Sequence, residues 1–120
     1  MKQCAVWERA GAMVIPRPLR YLSGRPPEQK GIDVLLAIDF VTLAIDGEYD
    51  VGVIASTDSD LLPALEYVYH KFSGNRGVEV MSWSSPTTSR RLRILGGNIW
   101  CYWLDRRDYD QVADLTDYNL

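Results

Sequence analysis

The sequence predicts an α/β protein built on a mostly parallel sheet, and three observations support this. Short apolar runs alternate with helix-like segments from about residue 30 onward. The run 51–55 carries no charge, which is typical of a strand buried on both faces. This run ends at small hydroxyl residues and two aspartates, Asp58 and Asp60, before a helical pattern begins. In α/β proteins, ligands bind in the crevice at the carboxyl ends of the strands.

Length and composition narrow the class of protein further. The 120 residues are enough for one domain with a single core, and a hydrophobic fraction of 47% excludes general disorder. No apolar run approaches the ~20 residues that span a bilayer, and the N-terminus lacks a signal-peptide core. We therefore expect a cytoplasmic protein. Cys4 and Cys101 are expected to be free thiols, and with His70 they are too few for a structural zinc site.

Two regions are expected on either side of residue 30. Residues 1–29 are predicted to form an extended and loop segment, with short extended pieces at 12–15 and 19–22. Residues 30–120 are predicted to form the folded domain. Its first helix, 30–46, has so few polar positions that we expect it to be packed on most of its circumference. Asp33 is expected to cap the start of this helix, and Gly47 its end.

The remaining elements follow from apolar periodicity and from chain breakers. They are a strand at 51–56, a helix at 61–72 with Pro63 in its first turn, a strand at 78–83, a short helix or turn at 87–95, a strand at 99–104 and a closing helix at 108–115. Such alternation implies right-handed crossovers and a sheet covered on both faces. The aromatic residues of the last predicted strand are interpreted as core and edge packing in preference to a base-stacking platform. They are Trp100, Tyr102 and Trp103.

Asp58 and Asp60 are the strongest candidates for a functional site. In an extended turn, carboxylates at i and i+2 can face one crevice, and Mg²⁺ commonly binds through one or two carboxylates plus waters. The hydroxyls of Ser56, Thr57 and Ser59 can bind the metal's waters or a phosphate. The structural alternative is that Asp60 is only a helix N-cap. That alternative leaves Asp58 unexplained, because a second carboxylate at the end of a buried strand costs desolvation unless it has a partner.

Two further aspartates, and four basic residues, are secondary candidates. Asp33 becomes a third metal ligand if its helix starts beside the end of strand 51–56, whereas Asp39 reads more simply as part of a polar stripe. The net charge of −3 argues against general nucleic-acid affinity. Local basic residues can still contact phosphates, or they can be ordinary solvated side chains. These residues are Lys30, Arg90, Arg91 and Arg93.

Two stretches resemble the NYN domain family, a branch of the PIN-like nucleases. They are KGIDVLLAIDFV at 30–41 and YDVGVIASTDSDLLPALE at 49–66, and the likeness extends over about residues 28–104. The resemblance implies a PIN-like three-layer α/β/α fold with an acidic pocket, Mg²⁺ or Mn²⁺ as cofactor, and cleavage of RNA. Asp33, Asp58 and Asp60 then correspond to the catalytic, metal-binding acids, and Asp39 to a common family aspartate.

One feature of the family pattern has no counterpart here. Family members open with a strand that carries an aspartate, whereas the first aspartate of this chain is Asp33. We therefore expect an N-terminally incomplete version of the fold. Exposed strand edges in such a sheet invite a homodimer or a strand-exchanged oligomer.

Three functions follow from these patterns. The first is a metal-dependent ribonuclease that hydrolyses phosphodiester bonds. The second is a catalytically impaired relative that binds RNA or a protein partner. The third, more distant, is a haloacid-dehalogenase-type phosphatase, because Asp58-Ser59-Asp60 mimics its Asp-x-Asp motif, although Leu62 stands where that motif has Thr or Val.

Overall fold

The computed structural model describes residues 2–120, and its elements are an α/β set. The helices are α1 (Lys2–Arg9), α2 (Ile32–Ile45), α3 (Leu62–Lys71) and α4 (Arg106–Val112), and a 3₁₀ turn covers Ser59–Leu61. The strands are β1 (Val51–Ala55), β2 (Gly77–Ser85), β3 (Thr88–Ser89) and β4 (Cys101–Leu104). The chain divides into two compact units, residues 31–112 and a second made of 2–30 with 113–120.

The larger unit contains a mostly parallel sheet, as predicted. β2 is central: it pairs in parallel with β1 and with β4, and its end forms an antiparallel hairpin with the short β3. The registers place Ile54 beside Val80, and Val80 beside Cys101. Parallel strands joined by helices bring their carboxyl ends to one edge of the sheet. The α/β class with a mostly parallel sheet is therefore confirmed.

The core lies between one face of this sheet and the helices α2 and α3. Alternation along the strands directs Gly52 and Ile54 of β1, and Val78 and Val80 of β2, toward that face, where all four are buried. Gly52 allows the close approach of α2, because a Cβ there would lie 2.4 Å from Cε2 of Phe40. The alternate positions of the strands point to the opposite, open face of the sheet.

Helix α3 is amphipathic, and α2 is not. Ala64, Leu65 and Val68 of α3 are buried, while its outer positions include charged and aromatic residues. In α2 only Phe40 and Ala44 are buried, although its sequence is apolar almost all round. Gly31, in the left-handed conformation at φ 79°, precedes α2, and Gly47 at φ 72° follows it.

Several local expectations differ from the structure. Residues 87–95 form no helix: Thr88–Ser89 is a strand, and the buried Leu92 and Ile94 alternate with exposed residues as in an extended chain. Asp33 does not cap α2, since Gly31 holds the N-cap position and no side chain caps it. Asp33 instead lies in the first helical turn, where the positive end of the helix dipole favours a carboxylate.

The smaller unit has little regular structure apart from α1. Helix α1 was not predicted from the sequence, and none of its eight residues is buried. The extended pieces expected at 12–15 and 19–22 form no strand. An isolated antiparallel bridge joins Arg20 to Glu28. The side chain of Lys2 donates a hydrogen bond to the backbone oxygen of Leu120.

Candidate functional site

The turn after β1 holds Asp58 and Asp60, and its geometry follows from local hydrogen bonds. The backbone N–H of Asp58 donates to Ser56 Oγ at 3.0 Å. The N–H of Asp60 donates to Asp58 Oδ1 at 2.9 Å, so Asp58 is the N-cap of the 3₁₀ turn Ser59–Leu61. The structural alternative that assigned the cap to Asp60 is wrong, because the capping carboxylate belongs to Asp58.

The carboxylates of Asp58 and Asp60 have oxygen atoms that are available to a ligand. Asp58 is half-buried, and Asp60 is exposed. Within residues 2–120, Asp58 Oδ2 and both side-chain oxygens of Asp60 accept no protein hydrogen bond. Thr57 and Ser59 are exposed beside them. The turn therefore presents carboxylate and hydroxyl oxygens, which are the donors that hard divalent cations prefer.

Asp33 belongs to a neighbouring element but does not complete a tight cluster. Helix α2 contacts the 3₁₀ turn that carries Asp60. Even so, among the described residues no three Asp, Glu, His or Cys side chains are grouped closely enough to hold one metal ion. No strand precedes β1 within residues 2–50, so no acid is supplied from an opening strand there. Asp39 is half-buried within α2.

The basic candidates do not form one patch. Arg91 is committed to the backbone: its Nε donates to the oxygen of Leu92 at 3.2 Å, and its Nη2 donates to the oxygen of Ile99. Arg90 and Arg93 are exposed. Lys30, in the smaller unit, lies 3.7 Å from the carboxylate of Glu28 in an exposed ion pair of little energetic weight.

A cavity of about 280 Å³ opens beside the acidic turn and was not predicted. It is lined by Ala55, Ser56, Thr57, Met81, Ser82, Trp83 and Leu104. Met81 and Trp83 lie at alternate positions of β2, on the open face of the sheet. The period-two pattern of β2 places Met81 and Trp83 on one face, but it does not show whether that face is covered or open.

Trp100, directly before β4, and Tyr102 and Trp103 within it are also exposed, so the core part of the core-and-edge interpretation is wrong. Trp100 is 67% exposed, Tyr102 43% and Trp103 41%. Hydrogen bonding to the carboxylate of Glu79 is the main cause that raises the pKa of Tyr102. Core packing does not occur because the sheet is not covered at these positions, where β4 forms an edge.

No helix of the described residues is long and apolar enough to cross a membrane. Both cysteines are free thiols, with Cys101 buried and Cys4 partly so.

Comparison with known proteins gives one match. A protein-family model, described as the NYN domain, matches residues 5–94, about three quarters of the chain. Comparisons with curated proteins and with solved structures give no match. The match includes α2, β1, the acidic turn, α3 and β2. The chain therefore belongs to the NYN domain family and carries a PIN-like nuclease-type domain.

Proposed function

We propose that this protein is a metal-dependent ribonuclease that hydrolyses RNA phosphodiester bonds at the acidic turn after β1. The observation that carries the proposal is the pair Asp58 and Asp60. Both follow the carboxyl end of β1, within the part of the chain that matches the NYN domain. Both have carboxylate oxygens that accept no hydrogen bond from the described residues 2–120. This edge of a parallel sheet is where α/β proteins bind their ligands.

The donor set fits Mg²⁺ or Mn²⁺. Two carboxylates are enough for a cation that usually keeps several waters, and Asp33 at the start of α2 is the proposed third acid. When bound, such a metal lowers the pKa of a water and stabilises charge that develops on the phosphate. The chain's own residues would position the reactants. Ser56 holds the Asp58 backbone in place, and the hydroxyls of Thr57 and Ser59 are placed to orient waters or phosphate oxygens.

Arg90 and Arg93 are the proposed phosphate contacts, because both guanidinium groups are exposed. Arg91 is assigned a smaller role than the other two, since its donors already serve backbone carbonyls. Lys30 remains a proposed contact. We place the protein in the cytoplasm as part of the proposal, because free cysteines fit a reducing compartment.

Cleavage of a labelled RNA by the purified chain in Mg²⁺ or Mn²⁺ tests the proposal. Loss of even an outer partner of a metal site costs about 10- to 100-fold, so Asp58→Asn is expected to lower the cleavage rate by at least about 100-fold. Asp60→Asn should behave similarly. Asp46→Asn is the matched control, since it removes the same charge at the far end of α2. Full activity in EDTA, or in Asp58→Asn, contradicts the proposal.

A second candidate function is a catalytically impaired relative that acts as an RNA-binding or protein-interaction module. Two observations favour it: no three-acid group exists among the described residues, and α2 and β1 expose apolar surface. β1 is also an edge strand, which is the basis for a homodimer or a strand-exchanged oligomer. Salt-sensitive RNA binding without turnover, or self-association without RNA binding, would favour this candidate over the first.

A further inference from the structure

The open face of the sheet carries a row of exposed aromatic side chains. Trp83 of β2 and Tyr102 of β4 occupy strand positions that point away from the face covered by α2 and α3. Trp100 lies directly before β4 and is exposed, whereas Cys101 between Trp100 and Tyr102 is buried. Trp83 is 43% exposed, similar to Tyr102, and Trp100 is more exposed still. Three large rings left in water are a feature that the fold does not need for its own core, which lies on the other face.

The pairing of β2 with β4 makes these rings neighbours. Trp83 pairs with Leu104, and Met81 pairs with Tyr102, so Trp83 and Tyr102 are diagonal neighbours on adjacent strands. Diagonal pairs in a sheet lie within reach of aromatic side chains. Tyr102 and Trp100 are in contact, with ring centroids 6.4 Å apart and planes at 76°. The three rings therefore lie in one row on this side of the sheet, defined as the aromatic track Trp83–Tyr102–Trp100.

The track begins at the cavity beside the acidic turn. Trp83 lines this cavity together with Ser56 and Thr57. Ser56 is also the residue whose Oγ accepts the N–H of Asp58. An extended ligand on the track would thus have one end beside Ser56 and Thr57, the two residues that directly precede Asp58 in the chain. The face would offer it aromatic rings along its length and hydroxyl groups at that end.

The charge on this face limits how a nucleic acid can lie there. Glu79 points to the same face, two residues before Met81, and its carboxylate interacts with the Tyr102 hydroxyl. A carboxylate repels phosphates and leaves uncharged bases unaffected. The ligand would therefore place its bases on the rings and keep its phosphates away from Glu79.

We propose that the aromatic track Trp83–Tyr102–Trp100 is a stacking platform for the bases of single-stranded RNA, and that it feeds the strand to the acidic turn. This deepens the proposed function and rests on it for the identity of the ligand. Stacking on aromatic rings tolerates any base, because every base has a π-face. The track therefore favours unpaired RNA, with little sequence preference, over duplex RNA, whose bases are already stacked.

Binding measured without catalysis tests the track. Fluorescence anisotropy with a labelled single-stranded RNA, in EDTA, reports affinity independently of cleavage. Because stacking contributes substantially for each base, Trp83→Ala and Trp100→Ala are each expected to weaken binding by about 5- to 100-fold. Trp83→Phe keeps a ring and should recover most of the affinity. Trp7→Ala removes an exposed tryptophan from the smaller unit and should leave affinity unchanged.

A second measurement separates stacking from charge or folding. Replacing the bases of the RNA with abasic sites should weaken binding to the native protein and should have little further effect on Trp83→Ala/Trp100→Ala. Far-UV circular dichroism checks that each variant folds. Unchanged RNA affinity in the folded double variant would contradict the proposal that the track binds RNA. If the sedimentation of that variant also changed, the face would serve self-association instead.

The outcomes distinguish the two proposals. Loss of cleavage in Asp58→Asn with unchanged binding in the tryptophan variants would contradict the track alone. Weaker binding in the tryptophan variants with full cleavage by Asp58→Asn would contradict the metal site alone.

Discussion

Helices α2 and α3 cover the same face of the sheet, yet they differ in how much of their apolar surface is buried. The buried positions of α3 form one face, and its remaining positions are tolerant of water. Helix α2 has polar side chains only at Asp33, Asp39 and Thr42. Even so, four of its apolar residues are exposed, namely Val34, Leu36, Ile38 and Ile45. A helix that is apolar all round is normally buried all round. The core of this chain therefore buries one apolar face of α3, whereas part of the apolar surface of α2 remains available to a partner.

The largest effect is expected where α3 meets the core. Leu65 is fully buried, so Leu65→Ala should lower the free energy of unfolding by about 2–5 kcal/mol. Ile38→Ala, on the exposed side of α2, should cost less than about 0.5 kcal/mol in dilute solution. Urea denaturation of both variants measures the difference. If Ile38→Ala lowers the free energy of unfolding as much as Leu65→Ala does at every protein concentration, this side of α2 is buried within the monomer. The proposed difference between α2 and α3 would then be wrong.

A smaller effect is expected at the turn between β1 and α3. Asp58→Ala removes the carboxylate that accepts the Asp60 N–H and should cost about 1 kcal/mol of stability. Asp58→Asn should cost almost nothing, because asparagine is as good an N-cap as aspartate. Thermal unfolding of the two variants checks this. Equal destabilisation by both would mean that the charge, and not the cap, stabilises the turn.

An effect of similar size is expected at Tyr49, in the loop between α2 and β1. Its hydroxyl donates to the backbone oxygen of Phe40 at 2.6 Å, so Tyr49→Phe should cost about 0.5–1.5 kcal/mol. Burial raises the pKa of Tyr49 against a smaller opposing influence of Arg76. The neutral phenol is therefore favoured in the folded state. Its contribution is complete below the unfolded-state pKa of about 10 and is lost as pH rises through the folded pKa.

Unfolding of the native chain and Tyr49→Phe across pH 8–11 tests this. The stability of Tyr49→Phe should fall less steeply above about pH 10 than that of the native chain. Parallel curves would show that Tyr49 does not contribute to the alkaline loss.

Sequence patterns predicted the long elements of the larger unit well, because burial imposes a period on them. The strands at 51–56, 78–83 and 99–104 and the helices at 30–46 and 61–72 correspond to observed elements within a few residues. The short β3 was missed, since two residues cannot display a period. Its turn depends on local bonds in which Ser85 Oγ accepts the backbone N–H groups of Thr87 and Thr88.

The candidate site was predictable in part. Asp58 and Asp60 stood out because two acids directly follow a buried strand. Which of them caps the turn depends on backbone angles, and the spacing of the two residues does not determine those angles. The exposure of Trp83 and Trp100 was not predictable either, because a tryptophan in a strand looks the same in sequence whether its face is covered or open.

Titration of the ¹⁵N-labelled chain with Mn²⁺ tests most directly whether a metal binds at the turn after β1. A paramagnetic ion broadens the amide signals of residues near it. We predict that the earliest broadening falls on Asp58, Ser59 and Asp60, extends to Asp33, and is abolished in Asp58→Asn while the N-cap and the fold persist. Broadening centred on other acids, such as those of α4, or no broadening at the turn after β1, would contradict the account.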